Sequence, residues 1–216
     1  MREKWIVETK KGDFNGLSAK LKVSPLAVRC LMNRGVESEQ GMREFLYGTL
    51  DDLHDPFLMK GMDEAVREIV KAKEQGRKVA IASDFDCDGI FSAYILWKGF
   101  QKIGLDSEIF TPDRVKEGYG LNRRIVDEAL AGGRDFLVTC DNGIAANEEV
   151  DYAKKLGMTV IVTDHHEVQE QMPAADVVLD PKRDDETYPF RGLCGAGVAF
   201  LSLIHISEPT RHSLIS

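Results

Sequence analysis

The chain has 216 residues, 43% of them hydrophobic, and a formal net charge of −8. This length suits one α/β domain, with or without a small appendage, and the apolar content is enough for a real core. The negative charge argues against a basic nucleic-acid-coating domain, although bound divalent cations can neutralise clustered acids. No apolar run approaches the roughly 20 residues of a membrane span, and the first residues of the sequence include no apolar stretch that could serve as a signal peptide. We therefore expect a cytoplasmic protein with no membrane partner.

The cysteines indicate a reducing compartment. Four are present and none has CxxC spacing: Cys30, Cys87, Cys140 and Cys194. We interpret them as reduced thiols, and their spacing predicts neither a zinc cluster nor a disulfide framework. Packing is the expected role of Cys87 and Cys140.

The N-terminal third predicts short helices. Ser24 is a typical N-cap followed by Pro25, and Gly35 ends the apolar pattern of this first helix. A second helix begins at Ser38. A longer one covers residues 62–75, where an apolar stripe at helical spacing is followed by a glycine.

From residue 78 onward, strand-like and helix-like runs alternate. The predicted strands are residues 78–83, 107–111, 135–140, 158–163 and 176–179. The predicted helices are residues 90–103, 121–131 and 146–156. Such alternation is typical of a mostly parallel sheet with right-handed crossovers. The expected fold is therefore an α/β domain with flanking helices, preceded by a small helical region.

The end of the sequence departs from this pattern. A helix begins near Gly195, but the amphipathic period is lost after Phe200, and the following residues resemble the translation of a sequencing adaptor. We therefore predict a helical region at residues 1–76, the α/β domain at 77–200 and a non-native tail at 201–216. On this interpretation His205 and His212 have no functional role, and deleting the tail changes stability by no more than about 1 kcal/mol.

Acids follow the first predicted strand at alternating positions. The segment DFDCDG at residues 84–89 carries Asp84, Asp86 and Asp88, which an extended backbone would place on one face, at a spacing that can chelate a cation. The following helix would offer amide groups that favour phosphate. A solvated acidic turn is the plain alternative. An EF-hand loop is another, but its downstream acid and flanking helices are missing.

Two later strands also end in polar residues. Asp141 follows the third strand, and Asp164, His165 and His166 follow the fourth. The first of these could be an ordinary turn, and a helix cap could explain Asp164 alone, but not the pair of histidines. Parallel sheets collect ligands beyond the carboxyl ends of their strands, so we expect these residues to converge with the acids of the first motif.

Oxygen ligands with one imidazole suit Mg²⁺ or Mn²⁺ better than Zn²⁺, which prefers a shell richer in nitrogen and sulfur. Two such ions about 4 Å apart can activate water and stabilise charge on a phosphoryl group. The residues therefore predict a metal-dependent phosphoesterase.

Four segments in order resemble the successive motifs of the DHH phosphoesterases: DFDCDG at 84–89, DNG at 141–143, DHH at 164–166 and LCGAGVAF at 193–200. Further segments resemble, more narrowly, the single-strand-specific DNA exonucleases of this family. They are SPLAVR from residue 24, DPF from 55, EGYGL from 117, PKR from 181 and YPF from 188. The similarity covers roughly residues 5–200.

This resemblance implies roles for individual residues. Four would ligate the metal ions: Asp86, Asp88, Asp141 and His165. Asp84 and Asp164 would support that shell in the catalytic site, and His166 would contact the scissile phosphate. Three others would bind substrate: Arg114 through a phosphate, or else as a solvated surface residue, and Gly195 and Gly197 through close approach of the backbone, or else as a helix-entry turn.

The resemblance also implies an activity and its partners. It implies Mn²⁺- or Mg²⁺-dependent removal of nucleotides from single-stranded DNA, 5′ to 3′, in recombination and repair, with repair and single-strand-binding proteins as possible partners. Family members have a further metal-ligating aspartate after the fourth motif, and no aspartate follows Asp185 here. They also have a second lobe and an oligonucleotide-binding domain. We therefore expect an incomplete polypeptide with weak or no activity.

Two alternatives remain. The chain could be a DHH phosphodiesterase of short oligonucleotides or dinucleotides, which the N-terminal similarity disfavours. It could also be a non-catalytic relative serving as a replication scaffold, although a scaffold has no chemical need for intact acids and histidines.

Overall fold

The computed structural model describes residues 10–204, which divide into two compact units between Leu53 and His54. The first unit contains α1 (Phe14–Leu21), α2 (Pro25–Asn33), α3 (Glu39–Tyr47) and a 3-10 turn at Leu50–Asp52. Its small core consists of Leu21, Val28, Leu31, Met32 and Met42.

Side-chain caps define the two predicted helices of this unit. The Ser24 hydroxyl accepts a hydrogen bond from the Ala27 amide at 3.2 Å, and Ser38 accepts one from Gly41 at 3.0 Å. Both helices are confirmed with these caps. The sequence did not predict α1, because a glycine and polar residues dilute its apolar pattern, and burial of Leu21 depends on the tertiary core.

The second unit is built around a five-stranded sheet. Its elements are a 3-10 turn at Pro56–Leu58, α4 (Met62–Glu74), β1 (Val79–Ser83), α5 (Cys87–Ile103), β2 (Ser107–Phe110), α6 (Arg123–Ala131), β3 (Phe136–Cys140), α7 (Asn147–Lys155), β4 (Thr159–Thr163), β5 (Val177–Leu179) and α8 (Gly195–Ile204). The strands are all parallel, in the order β2-β1-β3-β4-β5. This confirms the predicted α/β fold, including all five strands.

Apart from the edge strand β2, the sheet is buried on both faces, as its apolar strands require. Val79 and Ile81 share one core with residues of α4, α5 and α8, whereas Ala80 and Ala82 share the other with residues of α6 and α7. Alternate residues of a strand point to opposite faces, so the helices form a layer on each side of the sheet. Within residues 10–204, no helix has both the length and the apolar character needed to span a bilayer.

The structure places α4 with the sheet, whereas the sequence grouped it with the N-terminal helices up to residue 76. Its buried residues belong to the core beneath the sheet: Met62, Ala65, Val66, Ile69 and Ala72. Just before α4, the Lys60 amide donates to the Glu186 carboxylate at 3.1 Å. The apolar stripe of α4 thus packs on the sheet, and the compact unit begins at His54.

The last described helix also differs from expectation. Helical structure was predicted to be lost after Phe200, but α8 continues to Ile204, with Leu201 and Leu203 buried. A helix that has already started propagates at little cost, and these apolar side chains gain contacts with the core below. The rest of the predicted tail, with His205 and His212, lies outside the described residues.

Candidate metal centre

The site lies where the strand order reverses direction. From β1 the chain moves outward to β2 on one side and then crosses to β3 on the other. Loops leaving β1 and β3 therefore diverge, which opens a crevice beyond their carboxyl ends. Asp84 follows β1 and Asp141 follows β3, so both acids stand at this crevice.

A tight turn links β1 to α5. Asp84 is buried and accepts a hydrogen bond from the Phe85 amide at 2.6 Å. Asp86 caps α5 by accepting from the Gly89 amide at 3.0 Å. A Cβ on Gly89 would come within 2.5 Å of the Asp84 carbonyl oxygen, so only glycine allows the helix to begin this close to the strand.

The start of α8 closes over the same turn. The amides of Gly195 and Ala196 donate to the two oxygens of Asp88 at 2.7 and 2.8 Å. A Cβ on Gly195 would come within 2.6 Å of Asp141 Oδ1. The fourth motif therefore approaches the acids of the first and second motifs through its backbone, at a distance that only glycine permits.

Asp141 has an unusual backbone conformation, with φ at 61°. Non-glycine residues rarely adopt this left-handed region, although Asp tolerates it better than most. Asn142 holds the turn, because its side-chain amide donates to the carbonyls of Ala82 and Cys140 at 3.1 and 2.9 Å. The hydrogen bonds join the ends of β1 and β3 beneath the site.

Asp164 orients both histidines. Its Oδ1 accepts from the amides of His165 and His166 at 2.7 and 3.2 Å and contacts His166 Nδ1 at 2.7 Å. Its Oδ2 accepts from the Ile144 amide at 2.9 Å. Both oxygens are therefore occupied within the protein and the side chain is 1% exposed, whereas that of Asp88 is 25% exposed, which suits a supporting role for Asp164.

The residues offer a cluster of potential metal ligands. Ligand atoms of Asp141, His165 and His166 lie within 4.8 Å of one another. His165 Nε2 lies 2.9 Å from Asp141 Oδ1 and 3.4 Å from Asp88 Oδ2. The shorter contact lacks hydrogen-bond geometry, and Asp141 Oδ1 is buried without a hydrogen bond among the described residues. A buried carboxylate oxygen facing an imidazole nitrogen fits a shared cation.

Protonation preferences differ sharply across the site. Burial, reinforced by Asp88 and Asp86, raises the pKa of Asp141 to about 7. The hydrogen bond to Asp164 raises the pKa of His166 to about 9. Burial lowers the pKa of His165 and raises that of Asp84. Burial would also raise the pKa of Asp164, but hydrogen bonds, first of all from His166, lower it overall. A bound cation would favour the charged carboxylates.

The substrate-binding candidates lie in different surroundings. The Arg114 guanidinium sits over the Phe85 ring, 5.2 Å from its centroid. Gly195 contacts the acids, as described above. A Cβ on Gly197 would lie 3.2 Å from Leu193, so this glycine faces its own turn.

The exposed Cys87 and buried Cys140 make no disulfide.

Two residues of the site had not been singled out from the sequence. Asn142 also accepts a hydrogen bond from the Leu121 amide at 3.1 Å, which ties the loop before α6 to the site. Asp180 follows β5, is fully buried, and has one oxygen without a hydrogen bond among the described residues. Asn-Gly is common in turns, so the sequence gave no specific signal for Asn142. Asp180 could have been found from the sequence, because it is a fourth acid at the end of a predicted strand.

A cavity of about 480 Å³ opens beside these groups. Its walls include Asp84, Asp141, Asp164 and His166 on one side and the segment from Tyr119 to Asn122 on another. The ligand cluster is thus open to a small molecule or a chain end.

The fold and site define a parallel α/β domain with a carboxylate–histidine centre at its topological switch point. The chain belongs to the DHH family, because the model described as DHH family, N-terminal domain, matches residues 78–214, a range that includes most of the predicted tail.

Individual relatives are named more narrowly. The chain is 38% identical to the single-stranded-DNA-specific exonuclease RecJ of Bacillus subtilis and covers 25% of it with 91% of its own length. It is 34% identical to the Escherichia coli protein of the same name, of which it covers 31% with 83% of its own length. A crystal structure of exonuclease RecJ bound to manganese matches with a TM-score of 0.62 and 35% identity, over 70% of this chain and 38% of that one. The chain spans about a quarter to a third of these curated relatives.

Proposed function

We propose that this chain carries the metal centre of a Mn²⁺- or Mg²⁺-dependent exonuclease that degrades single-stranded DNA from its 5′ end, in cytoplasmic recombination and repair. The observation that carries this proposal is the buried Asp141 Oδ1, which has no hydrogen bond among the described residues and faces His165 Nε2 at 2.9 Å. The similarity to RecJ exonucleases over most of this chain supports the choice of substrate.

Asp141 and His165 would hold the metal, with Asp86 and Asp88 completing its shell. When bound, two such ions supply a water nucleophile at neutral pH and neutralise charge on the phosphoryl group. Asp141 reaches the site from a left-handed backbone held by Asn142, so the ligand is positioned before the cation arrives.

His166 would contact the scissile phosphate. Its Nδ1 is engaged by Asp164, which leaves Nε2 as the nitrogen for another partner. With a pKa of about 9, its ring is an imidazolium at neutral pH and can donate to a phosphate oxygen. Arg114, whose guanidinium lies over the Phe85 ring, would add a second cation for the DNA backbone.

The test is hydrolysis of end-labelled single-stranded DNA with the chain in excess over substrate. A 5′-labelled strand should release its label as a mononucleotide in Mn²⁺, slowly, whereas a 3′-labelled strand should shorten step by step. Asp141→Asn should abolish both, and Asp151→Asn, which alters an exposed acid on α7, should abolish neither.

The outcomes separate the alternatives. Loss of the 3′ label first would reverse the proposed polarity. Cleavage confined to dinucleotides would favour the short-oligonucleotide phosphodiesterase. No metal-dependent cleavage of any strand, together with no binding of Mn²⁺, would exclude an exonuclease centre in this chain and favour the scaffold.

A further inference from the structure

Two aromatic rings and a guanidinium meet beside the metal centre. The Phe85 and Tyr119 rings lie 4.7 Å apart with an interplanar angle of 36°, and Arg114 covers Phe85 at 5.2 Å. Tyr119 is 71% exposed. These three residues, here called the aromatic platform, leave an aromatic surface open to solvent.

The aromatic platform adjoins the reacting groups. Phe85 lies between Asp84 and Asp86 in the first motif, and its amide donates to Asp84. Tyr119 lines the same cavity as Asp141 and His166. A nucleotide with its phosphate at the centre could therefore reach the aromatic platform with a base.

The loop carrying Tyr119 is fixed at both ends. On one side, Glu117 accepts hydrogen bonds from Arg124 at 2.8 Å and from the Asp113 amide at 2.7 Å. On the other, the Leu121 amide donates to Asn142. A ring held in place loses little conformational freedom when a ligand stacks on it, so this arrangement favours binding.

We propose that the aromatic platform binds a nucleobase of the DNA strand by stacking, with Tyr119 as the main contact. This proposal rests on the proposed function and adds how the strand is held. Every base has a π-face, so stacking tolerates any sequence, as a processive or nonspecific nuclease requires. The adjacent guanidinium adds attraction for the neighbouring phosphate.

A structural role for the rings makes a different prediction. If the contact between Phe85 and Tyr119 only fixed the loop, substitution of Tyr119 would weaken binding of any strand, with or without bases. A stacking role acts only when a base is present. A strand of deoxyribose phosphates that lacks bases therefore distinguishes the stacking role from the structural role.

The experiment compares a short oligothymidylate with an abasic strand of the same length, both with hydrolysis-resistant phosphorothioate linkages, in Mn²⁺. Affinity is measured by fluorescence anisotropy for the whole chain. The wild-type chain should prefer thymidylate by about 10-fold or more. Tyr119→Ala should remove that preference and leave abasic binding unchanged, whereas Tyr119→Phe should retain it.

Tyr94→Ala is the matched control. Tyr94 is also exposed, pairs with Trp97 at 6.2 Å and has Lys98 over its ring at 5.9 Å, but it lies on α5, outside the cavity lining. This variant should keep the preference for thymidylate.

Four results would overturn the proposal. Tyr119→Ala could leave both affinities unchanged, which would show that the ring does not contact the strand. It could also weaken binding of both strands equally, which would assign the ring to loop structure. Equal binding of both strands by the wild-type chain would refute base stacking on the aromatic platform but would leave the proposed function intact. Failure of the wild-type chain to bind either strand would refute both the stacking proposal and the proposed function.

Discussion

Single side chains at the strand ends show how burial and backbone conformation prepare a charged site. Asp141 has a left-handed backbone and a buried carboxyl group whose pKa is raised. Each property is unfavourable for the protein without a bound cation. Both are maintained by neighbours, notably the three hydrogen bonds of Asn142. Unfavourable features held in place in this way are typical of functional sites.

Gly195→Ala should weaken Mn²⁺ binding and lower stability by about 1–3 kcal/mol. The added Cβ would lie 2.6 Å from Asp141 Oδ1, so either the carboxylate or the start of α8 must move. Chemical denaturation and metal titration measure the two effects. Gly132→Ala is the control, because its Cβ would meet nothing closer than 3.4 Å. Equal effects of the two substitutions would show that the close approach has no functional weight.

Asp180→Asn should stabilise the protein increasingly as pH rises. Burial raises the pKa of Asp180 from its ordinary 3.8 to about 6, so the folded state binds more protons than the unfolded state between these values. The carboxylate therefore lowers the stability of the wild-type chain progressively from pH 3.8 to 6. The advantage of the Asn variant should grow by on the order of 3 kcal/mol across this window and stay constant above it.

Urea denaturation of both proteins at a series of pH values measures this difference. Asp151→Asn controls for the loss of one negative charge, since Asp151 is exposed on α7. An advantage for Asp180→Asn that is the same at pH 4 and pH 7 would contradict the assignment.

At the scale of elements, local signals predicted most of the fold. The capping residues Ser24 and Ser38 and the apolar strand runs are read directly from neighbouring residues, and all five strands were located within about one residue at each end. The early start of α5 was missed, because it depends on Asp86 serving as a cap rather than continuing an extended strand. Burial of Leu21 in α1 likewise depends on residues distant in sequence.

The site was partly predictable because its residues follow strands that the sequence had located. Acids and histidines at strand ends converge because parallel strands share an edge, and the structure does bring Asp141, His165 and His166 together. The metal-ligand roles of Asp86 and Asp88 stay a prediction. The sequence could not indicate that Asp88 accepts two amides from α8, since only the folded chain brings the two together.

Leu203→Ala should destabilise the second unit by about 2–4 kcal/mol. Leu203 is buried in α8 and packs so closely against α5 that a Cβ on Gly99 would come within 2.4 Å of it. Thermal and urea denaturation measure the loss. Leu156→Ala, at a 45% exposed position, should cost far less. A negligible effect of Leu203→Ala would restore the sequence-based expectation that residues beyond Phe200 add little to stability.

At the scale of the whole molecule, the sheet gathers acid from separate parts of a chain that is already acidic. Asp84, Asp141 and Asp164 follow three strands and Asp88 lies in the first turn of α5, and their mutual repulsion is opposed within the site by His166. Such a concentration of carboxylates destabilises a protein unless a cation compensates it. The fold is therefore best explained as one that binds divalent metal at its switch point.

Mn²⁺ binding measured by isothermal titration calorimetry tests this account most directly. The wild-type chain should bind Mn²⁺, Asp141→Asn should weaken binding by at least about 10-fold, and Asp151→Asn should leave it unchanged. The Asn side chain matches Asp in size but lacks the charge and replaces one carboxylate oxygen with an NH₂ group, so a loss of affinity would identify the carboxylate as a ligand. Wild-type affinity in Asp141→Asn, or no binding by the wild-type chain, would contradict the account.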